Sequence, residues 1–146
     1  MKFSLEDIAG IIGARIEGAP SAPTIDTLIT DSRKAVDPSR GQLFIALRTD
    51  SGDGHRYIKD LYRRGVRAFV VSEVPSVMRS VPDATFLVVP DTMAALRQLG
   101  AAARKAYRGT IIAIAGSRGK TQVKEMLHAA LPSESWRSPR SWNSQI

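Results

Sequence analysis

Ile111-Ile112-Ala113-Ile114-Ala115-Gly116-Ser117-Arg118-Gly119-Lys120-Thr121 runs from five apolar residues into a glycine-framed turn and out onto a lysine and a hydroxyl. A short, continuous apolar run is the pattern of a buried strand. Val123, Met126 and Leu127 then repeat at helical spacing until Pro132 stops them. Strand, tight turn and helix in that order predict a phosphate-binding loop at Gly116 to Thr121. Glycines let the backbone take φ > 0 and approach an anion without a Cβ in the way. The helix that follows aims unpaired N–H groups and the positive end of its dipole at the same point. Lys120 supplies a cation to the outer phosphates, and the Thr121 hydroxyl is placed to ligate Mg²⁺. The strict Walker pattern asks for glycine where this chain has Ile114, so the loop is the shorter G-x-x-G-K-T form. The hexapeptide alone also suits a glycine-rich strand–helix turn with a surface lysine. The strand before it and the helix after it favour the phosphate.

Upstream, the same alternation repeats. Ser4 is placed to cap a helix carrying Leu5, Ile8, Ala9 and Ile12, with Asp7 three residues on. Gly18 to Pro23 reads as a loop, Ile25 to Ile29 as a strand, Asp37 to Gly41 as a turn cluster and Leu43 to Leu47 as a buried strand. Thr49 to Gly54 reads as a polar loop. Tyr57, Ile58, Leu61 and Tyr62 make a helical stripe ended by Gly65. Ala68 to Val71 and Phe86 to Val89 read as two more strands. Asp91 or Thr92 caps a helix running to about Tyr107, with Met93, Leu96, Leu99 and Ala103 at spacings of three or four. The sequence thus predicts an α/β fold in two parts. Residues 1–107 form a small N-terminal α/β domain, and 108–146 form the first strand–loop–helix of a P-loop ATPase domain. That second stretch falls below the roughly 50 residues of a small domain, so the chain is expected to stop inside it.

Bulk composition narrows the function classes. With 43% hydrophobic and 24% charged residues, a packed core is expected. No apolar run reaches the roughly 18 residues of a membrane span, and the N-terminus lacks the apolar stretch of a secretory signal. The chain has no cysteine, which excludes disulfides and thiolate metal sites. A cytoplasmic protein is expected. The net charge is +7, but the basic residues (Arg33-Lys34, Arg63-Arg64, Arg104-Lys105, Arg137, Arg140) are scattered and not interleaved with aromatics. Small polyanions such as nucleotides are therefore preferred over nucleic acid as partners.

Three blocks resemble the Mur ligases, the ATP-dependent amide-forming enzymes of peptidoglycan synthesis. The short phosphate loop is one. The second is Thr30-Asp31-Ser32-Arg33-Lys34, then Gly41-Gln42-Leu43-Phe44-Ile45-Ala46-Leu47, then Asp53-Gly54-His55-Arg56-Tyr57-Ile58. It is similar to the family's D-S-R, G-D-L-F-V-A-L and D-G-H-x-F-I. The third, Ser138-Pro139-Arg140-Ser141-Trp142-Asn143-Ser144-Gln145-Ile146, is similar to the asparagine-containing segment after the first helix of the ATPase domain. The combination looks most like the branch that joins D-Ala-D-Ala to a UDP-N-acetylmuramoyl tripeptide, and the ending looks like the version of it fused to an alanine racemase.

The resemblance implies ATP and Mg²⁺ as cofactors, and a UDP-N-acetylmuramoyl peptide and D-Ala-D-Ala as substrates. ATP phosphorylates the peptide's terminal carboxylate, and the amine of D-Ala-D-Ala attacks the acyl phosphate. It also implies site residues. Gly116, Ser117, Arg118, Gly119, Lys120 and Thr121 fall on the ATP loop, with Lys120 and Thr121 catalytic and Thr121 on the metal. Arg118 departs from the usual Asn or Ser. Asn143 falls near the nucleotide. Thr30, Ser32, Arg33 and the loop Asp50-Ser51-Gly52 fall on the segments that hold the uridine diphosphate, although Thr49 stands where the family usually has glycine.

Without the resemblance, several of these residues have plainer readings. Asp31-Ser32-Arg33 is a good Asx-type turn with a solvated arginine. No nearby Ser or Cys makes a nucleophile–base pair with His55 evident, so a structural or helix-N-terminal histidine is expected. Asp53 is read as a cap for the Tyr57 helix rather than a metal ligand. Glu125 is read as a surface residue, and His128 is assigned no chemistry. Two functions of other classes stay open: a non-catalytic uridine-nucleotide-binding module, and an unrelated P-loop kinase or ATPase. Affinity for a uridine-linked ligand separates these two.

Overall fold

The computed structural model describes residues 3–18, 24–34, 37, 40–49, 52–74 and 76–138. It divides into two compact units, Met1–Tyr107 and Arg108–Ile146.

The first unit begins as the sequence predicts. Helix α1 (Leu5–Ile12) is closed by a capping box: the Asp7 N–H donates to Ser4 Oγ at 3.0 Å, and the Ser4 N–H donates to Asp7 Oδ2 at 3.3 Å. Gly13 ends it in the left-handed conformation at φ 61°. Strands β1 (Arg15–Gly18), β2 (Thr27–Ile29) and β3 (Gln42–Ile45) follow, then a two-residue ribbon pair, β4 (Arg48–Thr49) with β5 (Gly52–Asp53). A 3-10 turn at Gly54–Tyr57 leads into α2 (Ile58–Arg63), and β6 (Ala68–Val71) comes next. After a 3-10 turn at Ser76–Ser80, β7 (Thr85–Val88) leads to α3 (Thr92–Ala106). Asp91 caps α3 by accepting the N–H groups of Met93 and Ala94.

The main sheet has the order β1-β7-β6-β3-β2. The four strands β7, β6, β3 and β2 are parallel, and β1 joins the β7 edge antiparallel, so the sheet is mixed. Alternation along the central strands splits their side chains between two cores. Leu43, Ile45, Ala68, Val70 and Leu87 pack with α1 and α3. Phe44, Ala46, Phe69, Val71 and Phe86 pack on the other face with Ile58 and Leu61 of α2. The register sets Phe44 beside Phe69 and Phe69 beside Phe86. The first pair meets edge-to-face at 6.4 Å and the second stacks at 5.5 Å. Each such pair contributes about 0.5–1.5 kcal/mol beyond its buried area.

Three expectations need correction. Gly18, read as the start of a loop, instead ends the strand Arg15–Gly18, which carries no apolar alternation because it is an edge strand whose residues are largely exposed; only its ladder to β7 defines it. The Tyr57 stripe is narrower than its spacing suggests, since Tyr57 sits in the 3-10 turn and is exposed, and only Ile58 and Leu61 of α2 are buried. The third correction concerns the second unit.

There, Ile111 to Ala115 forms no strand among the described residues, and Ile111 and Ile112 are 52% and 54% exposed. A strand exists through hydrogen bonds to a neighbour, and residues 108–138 offer no second strand-forming stretch to pair with it. Helix α4 (Lys120–Ala130) forms as expected and ends at Leu131, just before Pro132. Its Val123 and Met126 are exposed, and none of its residues is buried.

Candidate functional site

In the second unit the glycine loop has the backbone its sequence demands. Gly116 lies at φ 149° and Gly119 at φ 77°, both in the region that favours glycine. Gly119 is the N-cap of α4 and brings no side-chain cap, and no acidic residue stands in the first turn. The helix N-terminus therefore keeps its N–H groups and its positive end for an outside acceptor. The Lys120 ammonium folds back over the loop and donates to the Gly116 carbonyl at 2.6 Å. Ser117, Arg118 and Thr121 are exposed. Asn143 lies outside the described residues. Further along α4, Glu125 is held by Lys124 at 3.2 Å and Arg137 at 2.7 Å, which lowers its pKa. Lys124 also donates to the Ser138 carbonyl, and His128 Nδ1 lies 3.1 Å from Ser135 Oγ, so these side chains tie the following segment to the helix.

In the first unit the predicted residues gather by topology. Strands β2 and β3 are parallel neighbours, so the segments after them emerge on the same edge of the sheet, where open α/β sheets bind ligands. Thr30, Ser32 and Arg33 follow β2 directly, and Gly52 belongs to β5 just after β3. Asp50 and Ser51 lie outside the described residues.

The Asp31–Lys34 turn is strongly tied. Asp31 Oδ1 accepts the Arg33 N–H at 3.0 Å and Nε at 2.9 Å, and Oδ2 accepts the other guanidinium nitrogen at 2.9 Å. The Asx-type turn is therefore present. The fork of donors from Arg33, side chain first and backbone next, holds the Asp31 carboxyl at a pKa of about 2. Arg33 itself is exposed and bound to its own turn. From the end of α2, Arg64 reaches over and donates to the carbonyls of Ser32 and Lys34, each at 2.6 Å. Sequence reading missed Arg64, because nothing in an Arg-Arg pair before a glycine links it to residues 30 and 32 positions earlier.

On the neighbouring loop, Asp53 caps the 3-10 turn as expected, accepting the His55 N–H at 2.9 Å. Arg48 ties Asp53 at 3.1 Å to Glu73 at 3.0 Å. The His55 backbone N–H first, then its ring, hold the Asp53 carboxyl at about 2 against a burial penalty. His55 Nδ1 lies 2.5 Å from Asp53 Oδ1, and its Nε2 accepts the Ser72 N–H at 2.9 Å, with Ser72 Oγ at 3.2 Å. Carboxylate, imidazole and hydroxyl thus stand in the order of a nucleophilic triad. The chemistry is not that of a triad, because the one lone pair of Nε2 faces a backbone N–H and is not free to take the hydroxyl proton. His55 is a structural tie between the β5 segment and the end of β6. Among the described residues no cluster of His, Asp and Glu is arranged to hold a metal, and no helix is long and apolar enough to cross a membrane.

No protein-family model matches the chain. Individual relatives do. It is 36% identical over 131 residues to the UDP-N-acetylmuramoyl-tripeptide–D-alanyl-D-alanine ligase of Haemophilus influenzae, covering 90% of this chain and 27% of that ligase. It is 32% identical over 136 residues to the corresponding ligase of Bacillus subtilis, covering 90% and 28%. A UDP-N-acetylmuramoyl-L-alanyl-D-glutamate–2,6-diaminopimelate ligase of Chlorobium phaeobacteroides is 36% identical over 121 residues, covering 78% and 22%. A crystal structure of MurF from Acinetobacter baumannii superposes with a TM-score of 0.73 at 29% identity, covering 88% of this chain and 27% of that one. The chain belongs to the Mur ligase family of peptidoglycan synthesis. Within that family it is MurF-like, in sequence and in structure. It spans little more than a quarter of the length of the D-alanyl-D-alanine ligases it matches, 27% and 28% of the two described above.

Proposed function

We propose that this chain carries the uridine-diphosphate-binding domain (residues 1–107) and the opening of the ATP-binding domain (residues 108–146) of a ligase that adds D-Ala-D-Ala to a UDP-N-acetylmuramoyl tripeptide. The observation that carries the reading is the Gly116–Thr121 loop: two positive-φ glycines, an uncapped helix N-terminus and a lysine folded over the turn. These residues fit a nucleotide phosphate. A side chain at position 119 would be strained at φ 77°, while the space beside it is open. The Lys120 ammonium exchanges its bond to the Gly116 carbonyl for a phosphate oxygen, a stronger, charge-assisted partner. Thr121, the second residue of α4, would hold Mg²⁺. ATP supplies the phosphoryl group that turns the tripeptide carboxylate into an acyl phosphate with a good leaving group.

The protein's own contribution is charge and position. Lys120 and the α4 N-terminus offset negative charge on the phosphates. In the first unit, Ser32 offers a hydroxyl donor and Arg33 a guanidinium to the diphosphate, and Thr30 and the Asp50-Ser51-Gly52 loop flank them. By itself the chain is expected to bind and not to turn over, since it spans only part of the length of its relatives.

Two measurements on the 146-residue chain test this. Titration with ATP and Mg²⁺ should show binding that Lys120→Met weakens about tenfold or more, the loss of a charge-assisted contact. Phosphate release with ATP, UDP-N-acetylmuramoyl tripeptide and D-Ala-D-Ala should stay at background. ATP binding without affinity for the uridine-linked peptide would overturn the assignment of residues 1–107 to the uridine diphosphate. A substantial release rate would sink the expectation of binding without turnover.

A further inference from the structure

The turn assigned to the diphosphate is tied both from within and from outside. Within Asp31 to Lys34, the Lys34 N–H donates to the Asp31 carbonyl at 3.1 Å, and the Asp31 carboxylate accepts the Arg33 N–H and its guanidinium. One tie from outside comes from Arg64. Its two terminal nitrogens donate to the carbonyls of Ser32 and Lys34, both at 2.6 Å. Those carbonyls stand two residues apart, so one planar fork spans the turn and fixes both peptide planes at once. Arg64 leans on Asp60, one helical turn before it, at a looser 3.5 Å, and its side chain is two-thirds covered. The short bonds are therefore to the turn and not to the helix carboxylate.

We infer that Arg64 is a positioning residue for a nucleoside diphosphate at the Thr30–Lys34 turn. It holds the Ser32 and Lys34 carbonyls toward itself, so that Ser32 and Arg33 are presented in one arrangement. Its charge lies beside those of Arg33 and Lys34, which Asp31 and Asp60 offset in part, and the net positive charge favours a diphosphate. The inference rests on the reading of Thr30, Ser32 and Arg33 as the uridine-diphosphate site.

The consequence is a population effect. A ligand that binds one arrangement of the turn binds more weakly in proportion to the fraction of molecules holding that arrangement. If Arg64→Met leaves the turn ordered about a tenth of the time, the apparent affinity falls about tenfold. Arg64→Lys keeps the charge and the stem but cannot bridge two carbonyls with one fork, and a loss of about threefold is expected on the same basis.

The test is calorimetric titration of the 146-residue chain with UDP, for the wild type, Arg64→Met, Arg64→Lys and Arg33→Met, together with amide hydrogen exchange of the free proteins. The inference expects UDP binding by the wild type, a graded loss at position 64 and faster exchange of the Arg33 and Lys34 amides. Exchange in β3 and β6 should be unchanged, which separates a local loss of order from general destabilisation. Loss of affinity in Arg33→Met with Arg64→Met and Arg64→Lys both at wild-type affinity overturns the role of Arg64 and leaves the site standing. Absence of UDP binding by the wild type, or binding indifferent to both arginines, removes the site and the Arg64 inference with it. Should Arg64→Met fail to fold, Arg64→Lys decides alone: wild-type affinity and wild-type exchange at Arg33 and Lys34 refute the inference.

Discussion

Replacing His55 with leucine should cost the first unit about 2–3 kcal/mol, a figure that follows from two hydrogen bonds. The imidazole side chain is 11% exposed, so leucine keeps most of the apolar contact and the change isolates the polar ties. One tie is the Ser72 N–H to Nε2 at 2.9 Å, and leaving a covered donor unpaired costs about 1–3 kcal/mol. Ser72 is only partly buried, which puts the cost near 1 kcal/mol at the lower end of that range. The other tie is Nδ1–H to Asp53. Hydrogen bonds to charged groups contribute about 1.5–3 kcal/mol, but this carboxylate is 40% exposed and keeps the His55 N–H and Arg48, so again the lower end applies. Urea unfolding followed by far-UV circular dichroism reads the sum, and the melting temperature should drop by about 10–15 °C. Two further variants apportion it. His55→Gln restores an acceptor toward Ser72, and His55→Asn restores a donor toward Asp53, so each should recover part of the loss. A loss below about 0.5 kcal/mol for His55→Leu, the ordinary effect of a surface change, would refute the reading of His55 as a tie and reopen the question of its chemistry.

The acid limb of stability gives a second prediction. Asp31 and Asp53 both have folded pKa values of about 2, below the ordinary carboxylate value. Their contribution is therefore complete above the unfolded pKa near 4 and is lost as pH falls through 2. Discounted for its exposure, Asp53 should account for about 1 kcal/mol of that loss; Asp53→Asn should flatten the fall between pH 4 and 2 in pH-dependent urea midpoints, and an unchanged slope would count against the assignment. A third prediction concerns the entry to β3. A Cβ at Gly41 would overlap the Thr24 carbonyl oxygen, while the Gly41 carbonyl accepts the Asp26 N–H at 2.9 Å. Gly41→Ala should destabilise by about 1–3 kcal/mol, the range for overpacking against atoms with little room to move, and a neutral melting temperature would show that the backbone yields there.

Much of the fold was legible because it is local. Ser4 and Asp7 cap α1 within three residues, Asp91 caps α3 in the same way, and the positive φ of Gly116 and Gly119 follows from the loop's own sequence. The central strands announced themselves because β3 and β6 are covered on both faces and so consist almost wholly of apolar side chains. The edge strand β1 announced nothing, being polar and exposed. Ile111 to Ala115 announced a strand that the described residues do not pair. Apolar composition reports how a segment can be covered, and a ladder needs a partner that composition does not name.

The candidate site divides along the same line. The sequence by itself determined which residues are proposed to carry the chemistry: the short phosphate loop with Lys120 and Thr121, and the Thr30, Ser32 and Arg33 turn after a strand. Tertiary structure alone decided how they are held. It set Arg64 across the Ser32 and Lys34 carbonyls and joined Ser72 to His55, making a tie rather than a triad. The physical reason is distance along the chain. Caps, turns and positive-φ glycines are settled among residues within about four positions of one another. The hydrogen bonds from Arg64 to its turn and from Ser72 to His55 join residues that only the parallel register of β2, β3 and β6 brings to one edge.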